Sequence, residues 1–329
     1  MIDVSDLALP APPRYADVLA AAARIAPHAH VTPMLRSRTL DALAGCALLF
    51  KCENFQRTGA FQFRGACNAV RSLADADAAR GVVTHSSGNH GAALALAARD
   101  RGIPAHVVVP DGAVASKLAA IKAYGATLHP CATTMAARES ACERVQAETG
   151  AMLVHPFTDP RVIAGQATAA LEFLNQVGLH GAHSLDALLA PIGGGGLIGG
   201  SAIVAREQSQ DMQIFAAEPA GAADAYESLR QGRRVTDIVP QTIADGLRGT
   251  IGAINLALLQ THRVEVLLVE EAEILAAMRL LWERLKIVVE PSSATVLAAV
   301  LRHRERFAGR CVGVILSGGN VGLDAMPWK

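Results

Sequence analysis

Four turns in this 329-residue sequence carry side chains that chemistry can use, each where an apolar run ends. After "GVVTH" comes "SSGNHG" (Ser86 to Gly91), and after "LLAPI" comes "GGGGLIGG" (Gly193 to Gly200). After "QIFAA" comes "EPAGAAD" (Glu218 to Asp224), and after "GVIL" comes "SGGN" (Ser317 to Asn320). Ligands of open α/β sheets bind beyond the carboxyl ends of the strands, so these turns are the places to look. A fifth stretch, "TGAFQFRGA" (Thr58 to Ala66), sets a neutral amide, Gln62, between two phenylalanines.

Consecutive glycines between a strand and a helix start let several N–H groups converge on an anion at the positive helix end, so Gly193 to Gly196 suit a phosphate. Two other readings stand beside this one. The glycines could serve only a tight turn, or Gly194, Gly196 and Gly199 could form G-x-G-x-x-G with Glu218 following as the acidic partner of a dinucleotide fingerprint in an NAD-dependent oxidoreductase. "SSGNHG" offers hydroxyls, an amide and an imidazole at a helix start, which suits a carboxylate. Its plainer reading is a helix N-cap by Ser87 or Asn89.

Short β-branched runs alternate with Ala/Leu/Arg segments of helical period, the signature of βα units around mostly parallel sheets with helices on both faces; the fold class is α/β. Strands are expected at "ALLFKCE", "GVVTHS", "AHVVVP", "ATLHP", "AMLVHP", "DALLAPIG", "MQIFAAEP", "VEVLLV" and "CVGVILSGG", with helices such as "NHGAALALAARDRG", "ASKLAAIKAYG" and "AEILAAMRLLWERLK" between them. The four strands from Gly81 to Pro156 form a block that reads as an inserted smaller domain.

With 30 basic and 30 acidic residues the net charge is zero, so the expected partner is a small molecule and not nucleic acid. No apolar run approaches the ~18 residues of a membrane span, and the acidic-then-apolar N-terminus is the wrong order for a signal peptide. Six scattered cysteines without zinc spacing read as core hydrophobes in a reducing cytoplasm.

Taken in order, "TGAFQFRGA", "SSGNHG", "GGGGL", "EPAGAAD" and "SGGNV" resemble the motifs of the serine/threonine dehydratase and serine racemase family of pyridoxal-phosphate enzymes, of fold type II. They run from about residue 50 to residue 321, nearly the whole chain. The resemblance implies a discontinuous larger domain (1–80 and 157–329), a smaller αβ domain (81–156) and the cofactor between them. It assigns Gly193, Gly194, Gly195, Gly196 and Leu197 to the cofactor phosphate, Asn89 to its phenolic oxygen, Ser317 to the pyridine nitrogen and Phe61 to the ring border. Ser86, Ser87, Asn89 and His90 would close on the substrate carboxylate. Glu290 resembles a family glutamate near the pyridine edge, and Arg138 an arginine near the racemase site, although one arginine in a helix is more often a solvated face residue. Ala167 stands where the family usually has glycine, at what reads as a local turn.

A hydroxyl such as Ser317 cannot stabilise a pyridinium as a carboxylate does, so the ring is a weaker electron sink and rapid loss of a β-substituent is favoured. The implied reaction is elimination of water from a 3-hydroxy amino acid, giving a 2-oxo acid and ammonia. Ser87 resembles the racemase and hydroxyaspartate dehydratase branch, where it is the acid/base on the face opposite the lysine, so racemisation stays open; carboxylate binding alone is the other reading. Glu218 and Asp224, with the Ala222 carbonyl between them, match the branch's divalent site, and their oxygens suit Mg²⁺, Mn²⁺ or Ca²⁺. Two solvated carboxylates on a surface loop are the alternative. The resemblance also implies a homodimer.

The family carries its Schiff-base lysine where this chain has Gln62. A carboxamide nitrogen is conjugated with its carbonyl, so it can neither form that link nor move the Cα proton. Of the five lysines, Lys117, Lys122, Lys286 and Lys329 fall away from the turns, and Lys51 sits in the strand "LLFKCEN". Because every other motif is intact, Gln62 reads as an engineered replacement that traps the cofactor. A natural pseudoenzyme that binds cofactor and amino acid without turnover, as a sensor would, is the alternative.

Overall fold

A computed structural model describes residues 10–179 and 184–322. Its ten strands are β1 (Met34–Leu35), β2 (Ala47–Cys52), β3 (Val82–His85), β4 (Ala105–Pro110), β5 (Thr127–Cys131), β6 (Met152–Leu153), β7 (Ala187–Pro191), β8 (Gln213–Pro219), β9 (Glu265–Val269) and β10 (Cys311–Leu316). One sheet runs β1-β2-β10-β7-β8-β9, the other β5-β4-β3-β6. Every pairing is parallel except β1 with β2. The nine expected strands and three expected helices form. "AMLVHP" yields only two strand residues, and the two-residue β1 leaves no pattern in the sequence.

The sequence of β7 shows why both faces of the larger sheet are covered. Leu188 and Ala190 face one apolar core while Ala187 and Leu189 face another. A strand buried on both sides reads as a continuous apolar run rather than an alternating one. The smaller sheet divides its residues likewise, with Val107 and Val109 of β4 on one face and Val108 on the other. β5, with Pro130 in it, is an edge strand, where a residue without an N–H costs no ladder bond.

The "FRGA" segment begins the helix Gln62–Arg71, which crosses the helix Pro160–Leu179 closely. A Cβ on Gly65 would lie 2.8 Å from the Val162 carbonyl oxygen, and one on Gly165 2.5 Å from that of Arg64. Ala167 lies inside the longer helix, beside Gly200, so the turn expected there does not exist and the substitution concerns helix packing.

Beneath this crossing lies a buried charge cluster. Arg64 donates from Nε to Glu53 Oε2 (2.7 Å), from Nη2 to Glu53 Oε1 (2.8 Å) and from Nη1 and Nη2 to the two Glu172 oxygens (3.1 Å each). Lys51 Nζ donates to Glu172, to the Thr32 carbonyl and to Gln176 Oε1. Burial works to raise the Glu172 carboxyl, but Arg64 and Lys51 together hold it below the usual range.

Removing one member of such a cluster strands the rest. Arg64→Met is expected to destabilise the fold by about 3–5 kcal/mol, because Glu53 would lose the one cation bonded to it and Glu172 would keep only Lys51 as a bonded cation. Urea unfolding measures this as a lower midpoint at unchanged slope. A cost under about 1 kcal/mol would mean that water reaches the carboxylates and the cluster is not structural.

Candidate active site

The carboxyl ends of β2, β10, β7 and β8 stand side by side, so the turns after them meet along one edge of the larger sheet. The chain after β10 pairs with the loop before the Gln62 helix. Phe61 N–H donates to the Ser317 carbonyl (3.0 Å), Ala60 bridges Gly318, and Gly319 N–H donates to the Gly59 carbonyl (2.9 Å). Gln62, the first residue of its helix, is thereby placed beside the buried Ser317. The Gln62 Oε1 atom is buried without a hydrogen-bond partner. Phe61 is half-buried against the larger sheet's core.

After β7 the glycine turn enters the helix Gly196–Gln208, with Gly195 at φ +90° and no side-chain cap. The first N–H groups of a helix have no intrahelical acceptor, so those of Gly196 and Leu197 are available to an anion. The room is real. A Cβ on Gly194 would lie 2.2 Å from the Phe157 ring, one on Gly196 2.4 Å from Gln166 Oε1, and one on Gly193 3.0 Å from Leu247 Cα. Asn255 braces the turn from behind, donating to the carbonyls of Gly194 (2.6 Å) and Phe157 (2.8 Å). The packing accounts for the glycines, and the uncapped N–H groups at the helix start fit a phosphate.

After β3 the Ser86–Gly91 turn enters the helix Asn89–Arg101. Neither Ser87 nor Asn89 caps this helix: its N-cap is Gly88, and no side chain caps it. Both side chains therefore need another explanation. Gly91 allows the turn to close, since a Cβ there would be 2.3 Å from the Ser86 carbonyl oxygen. Asn89 reaches the larger sheet's side of the cleft, where its Nδ2 donates to Glu290 Oε1 (2.9 Å). Glu290 is buried and its carboxyl is pushed up to about 7 by burial and then by Asp245. The expectation for His90 is corrected in part. Its imidazole is turned inward against the Val154 carbonyl (3.3 Å) and held neutral by burial, near 4, so any contact of His90 with a substrate is through its backbone.

Arg138 departs from the solvated-face reading. Its Nε is buried and unpartnered, and its charge helps burial to lower His85 to about 4. His85 immediately precedes Ser86.

Glu218 and Asp224 are not solvated either. Both are buried, as is Ala222 between them. Burial and then the charge of Asp224 push the Glu218 carboxyl up to about 8, and burial pushes Asp224 up to about 6. Glu218 accepts the N–H groups of Ala225 (2.8 Å) and Tyr226 (2.9 Å), and Asp224 that of Ile251 (2.6 Å). Two buried carboxylates that repel one another fit a hard cation placed between them. Among the described residues no group of three or more His, Cys, Asp or Glu side chains surrounds such a position, so further ligands would be carbonyl oxygens or water.

Lys51 is excluded from the site by geometry, because its ammonium is held by Thr32, Glu172 and Gln176 in the charge cluster, and burial lowers its pKa. The sequence marked the turns but not the side chains that orient them. Asn320, Asn255 and Phe157 lie in segments whose pattern shows only a turn, an apolar helix and a loop.

Residues 25–318 match the family model described as "Pyridoxal-phosphate dependent enzyme". The chain is 48% identical over 317 residues to the beta-hydroxyaspartate dehydratase of Paracoccus denitrificans (strain Pd 1222), covering 96% of this chain and 99% of that one. It is 46% identical to the serine racemase of Dictyostelium discoideum, covering 94% and 95%. Among solved structures, maize serine racemase superposes with a TM-score of 0.91 at 43% identity, covering 95% of both chains. The threonine deaminase of T.th. superposes at 0.90 and 43%, covering 94% of this chain and 99% of that one. Architecture, glycine turn and relatives agree: the chain belongs to the family of pyridoxal-phosphate dependent enzymes and has the fold type II architecture of its racemase and dehydratase members.

Proposed function

We propose that this chain is the scaffold of a dehydratase acting on 3-hydroxy amino acids, 3-hydroxyaspartate first among them, whose covalent step is blocked at Gln62. When bound, pyridoxal phosphate supplies an aldehyde for the substrate amine and a ring that delocalises the electron pair left at Cα. The observation that carries the proposal is the meeting of the glycine turn, Ser317, Asn89 and Gln62 on one cleft edge, with a neutral amide where a base is required.

The chain's own residues divide the work. The Gly193–Leu197 N–H groups would hold the phosphate, Ser317 the pyridine nitrogen and Asn89 the phenolic oxygen, with Phe61 along the ring. The Ser86–Gly91 turn would hold the substrate carboxylate as the unit formed by residues 81–156 closes. Ser87 would hold a proton at its hydroxyl on the face opposite Gln62, which also leaves racemisation open to the restored enzyme. Gln62 can donate or accept a hydrogen bond but cannot take the Cα proton, so binding proceeds and water is not eliminated. We read the glutamine as introduced, since the other motifs are intact. The dinucleotide reading of the glycines finds no support in the family to which the chain belongs.

The chain as it stands should bind pyridoxal phosphate and, after borohydride, carry no phosphopyridoxyl label on Lys51. Gln62→Lys should restore 2-oxo acid formation from 3-hydroxyaspartate. A folded, cofactor-loaded revertant that turns over no 3-hydroxy amino acid, while still binding them, would favour a sensor and sink the dehydratase.

The buried Arg138 Nε beside the substrate turn supports a substrate with a second carboxylate. In the Gln62→Lys background, Arg138→Met should lower kcat/KM for 3-hydroxyaspartate at least about tenfold, as expected for a lost charge-assisted hydrogen bond, and spare serine. Equal losses for both substrates would remove Arg138 from specificity.

A divalent cation between Glu218 and Asp224 would bind the folded chain only, so Mg²⁺, Mn²⁺ or Ca²⁺ at ~100 times its dissociation constant should stabilise the fold by about 2.7 kcal/mol. Calorimetry with and without chelator measures the shift. Glu218→Gln should abolish it, and a shift that persists in that variant would place the cation elsewhere. The homodimer and the cytoplasmic compartment belong to the same proposal.

A further inference from the structure

Asn320 ends the "SGGN" turn and joins elements that approach the cofactor position from different directions. Its Nδ2 donates to the Thr58 carbonyl (2.7 Å) and to Asn89 Oδ1 (2.9 Å). A carboxamide nitrogen has two N–H bonds, so both are used. The fit is close: a Cβ on Gly59, which sits at φ +76°, would lie 2.5 Å from Asn320 Oδ1. Thr58, a β-branched residue at φ +61°, is held in the left-handed region through the carbonyl that Asn320 grips.

The consequence falls on Asn89. Its Oδ1 accepts from Asn320 and one of its Nδ2 hydrogens goes to Glu290, so the amide is oriented from both ends. Turning it over would face Nδ2 against the Asn320 Nδ2, donor to donor, and Oδ1 against the Glu290 carboxyl, which could meet it only when protonated. In the observed orientation one Nδ2–H remains uncommitted.

We propose that Asn320 is a positioning residue: it fixes the Asn89 carboxamide so that an N–H, and not the carbonyl, meets the phenolic oxygen of the bound cofactor. The same amide ties this contact to the Thr58–Gln62 loop. The inference rests on the proposed reading that the cleft binds pyridoxal phosphate with Asn89 at that oxygen. A donor there stabilises the phenolate over the phenol, so the orientation of Asn89 sets the charge state of the ring oxygen.

The test uses the full chain with Gln62 in place and pyridoxine 5'-phosphate as probe, which has the phenolic oxygen and phosphate but no aldehyde to react with any lysine. Asn320→Asp keeps the shape and replaces the donor by an acceptor, so Asn89 should turn over. Expected are an affinity loss of about tenfold or more and, at fixed pH, a shift of the bound probe's absorbance from the phenolate to the neutral phenol band. In an Asn89→Ala background the same change should no longer move the bands, because the group through which it acts on the phenolic oxygen is gone, and its affinity cost should shrink to that of the Thr58 contact alone. Where Asn320→Asp does not fold, Asn320→Ala removes the same N–H groups without adding charge and enters the same cycle. An unchanged affinity and band ratio overturns the proposal. So does a loss that is additive with Asn89→Ala and leaves the bands alone, since that is a purely structural role. If the parent chain does not bind the probe, the cofactor site itself is wrong and this inference falls with it; binding by the parent with an unresponsive Asn320→Asp defeats the inference alone.

Discussion

Arg64 lies where water cannot solvate it, so its charge is met by Glu53 and Glu172, and through Glu172 by Lys51, in a cluster whose formal charges cancel. The members come from the residue after β2, from β2 itself, from the start of the Gln62 helix and from the middle of the helix Pro160–Leu179. Satisfying them fixes the position of Arg64 relative to β2, and Gln62 is two residues away on the same helical turn. A buried cluster of this kind is weak evidence of net stability but strong evidence of a single allowed arrangement, because any other leaves a charge unpaired. The adjacent glycine contacts, Gly65 with Val162 and Gly165 with Arg64, admit no sliding of one helix along the other. The loop that carries the reactive position is therefore located by charge on one side and by the pairing of residues 59–61 with 317–319 on the other.

Electrostatics on the opposite wall follow a different rule. The turn that would meet a substrate carboxylate rests on His85, His90 and His155, which burial lowers to about 4, 4 and 3. Neutral imidazoles supply no charge for an anion, so a carboxylate at this turn would depend on oriented N–H groups. Backbone donors hold a carboxylate at a defined angle without a mobile charge. A carboxylate placed in this way leaves the Cα substituents in a fixed relation to Ser87 and to residue 62, which is what stereochemical control of proton transfer requires.

How much of this the sequence reveals depends on whether a signal is local. The strands, the turns after them and the glycine cradle are legible because each is a run of neighbouring residues with one pattern. Lys51 shows the limit. The sequence places it in a strand, but its partners are Thr32, Glu172 and Gln176, and nothing in "LLFKCEN" predicts them. His90 reads as a substrate contact because it stands in the "SSGNHG" turn, yet its ring is turned to the Val154 carbonyl. Glu218 and Asp224 could be solvated or buried from sequence alone, since burial is decided by packing of distant elements. Asn320 is the clearest omission: "SGGN" describes a turn, while the role of its last residue comes from Thr58 and Asn89, each more than two hundred positions away.

The same separation explains how a glutamine can occupy the centre of this site without undoing it. The contacts that locate the loop use backbone atoms of residues 58–61 and 317–319 and the side chains of Gln56, Arg57, Arg64 and Asn320. The Gln62 side chain contributes none of them, and its Oε1 has no partner. Exchange at residue 62 thus changes reactivity while leaving the scaffold's own bonds in place. Chemistry and architecture are carried by neighbouring residues that answer to different constraints: residue 62 to the reaction, Arg64 to the fold.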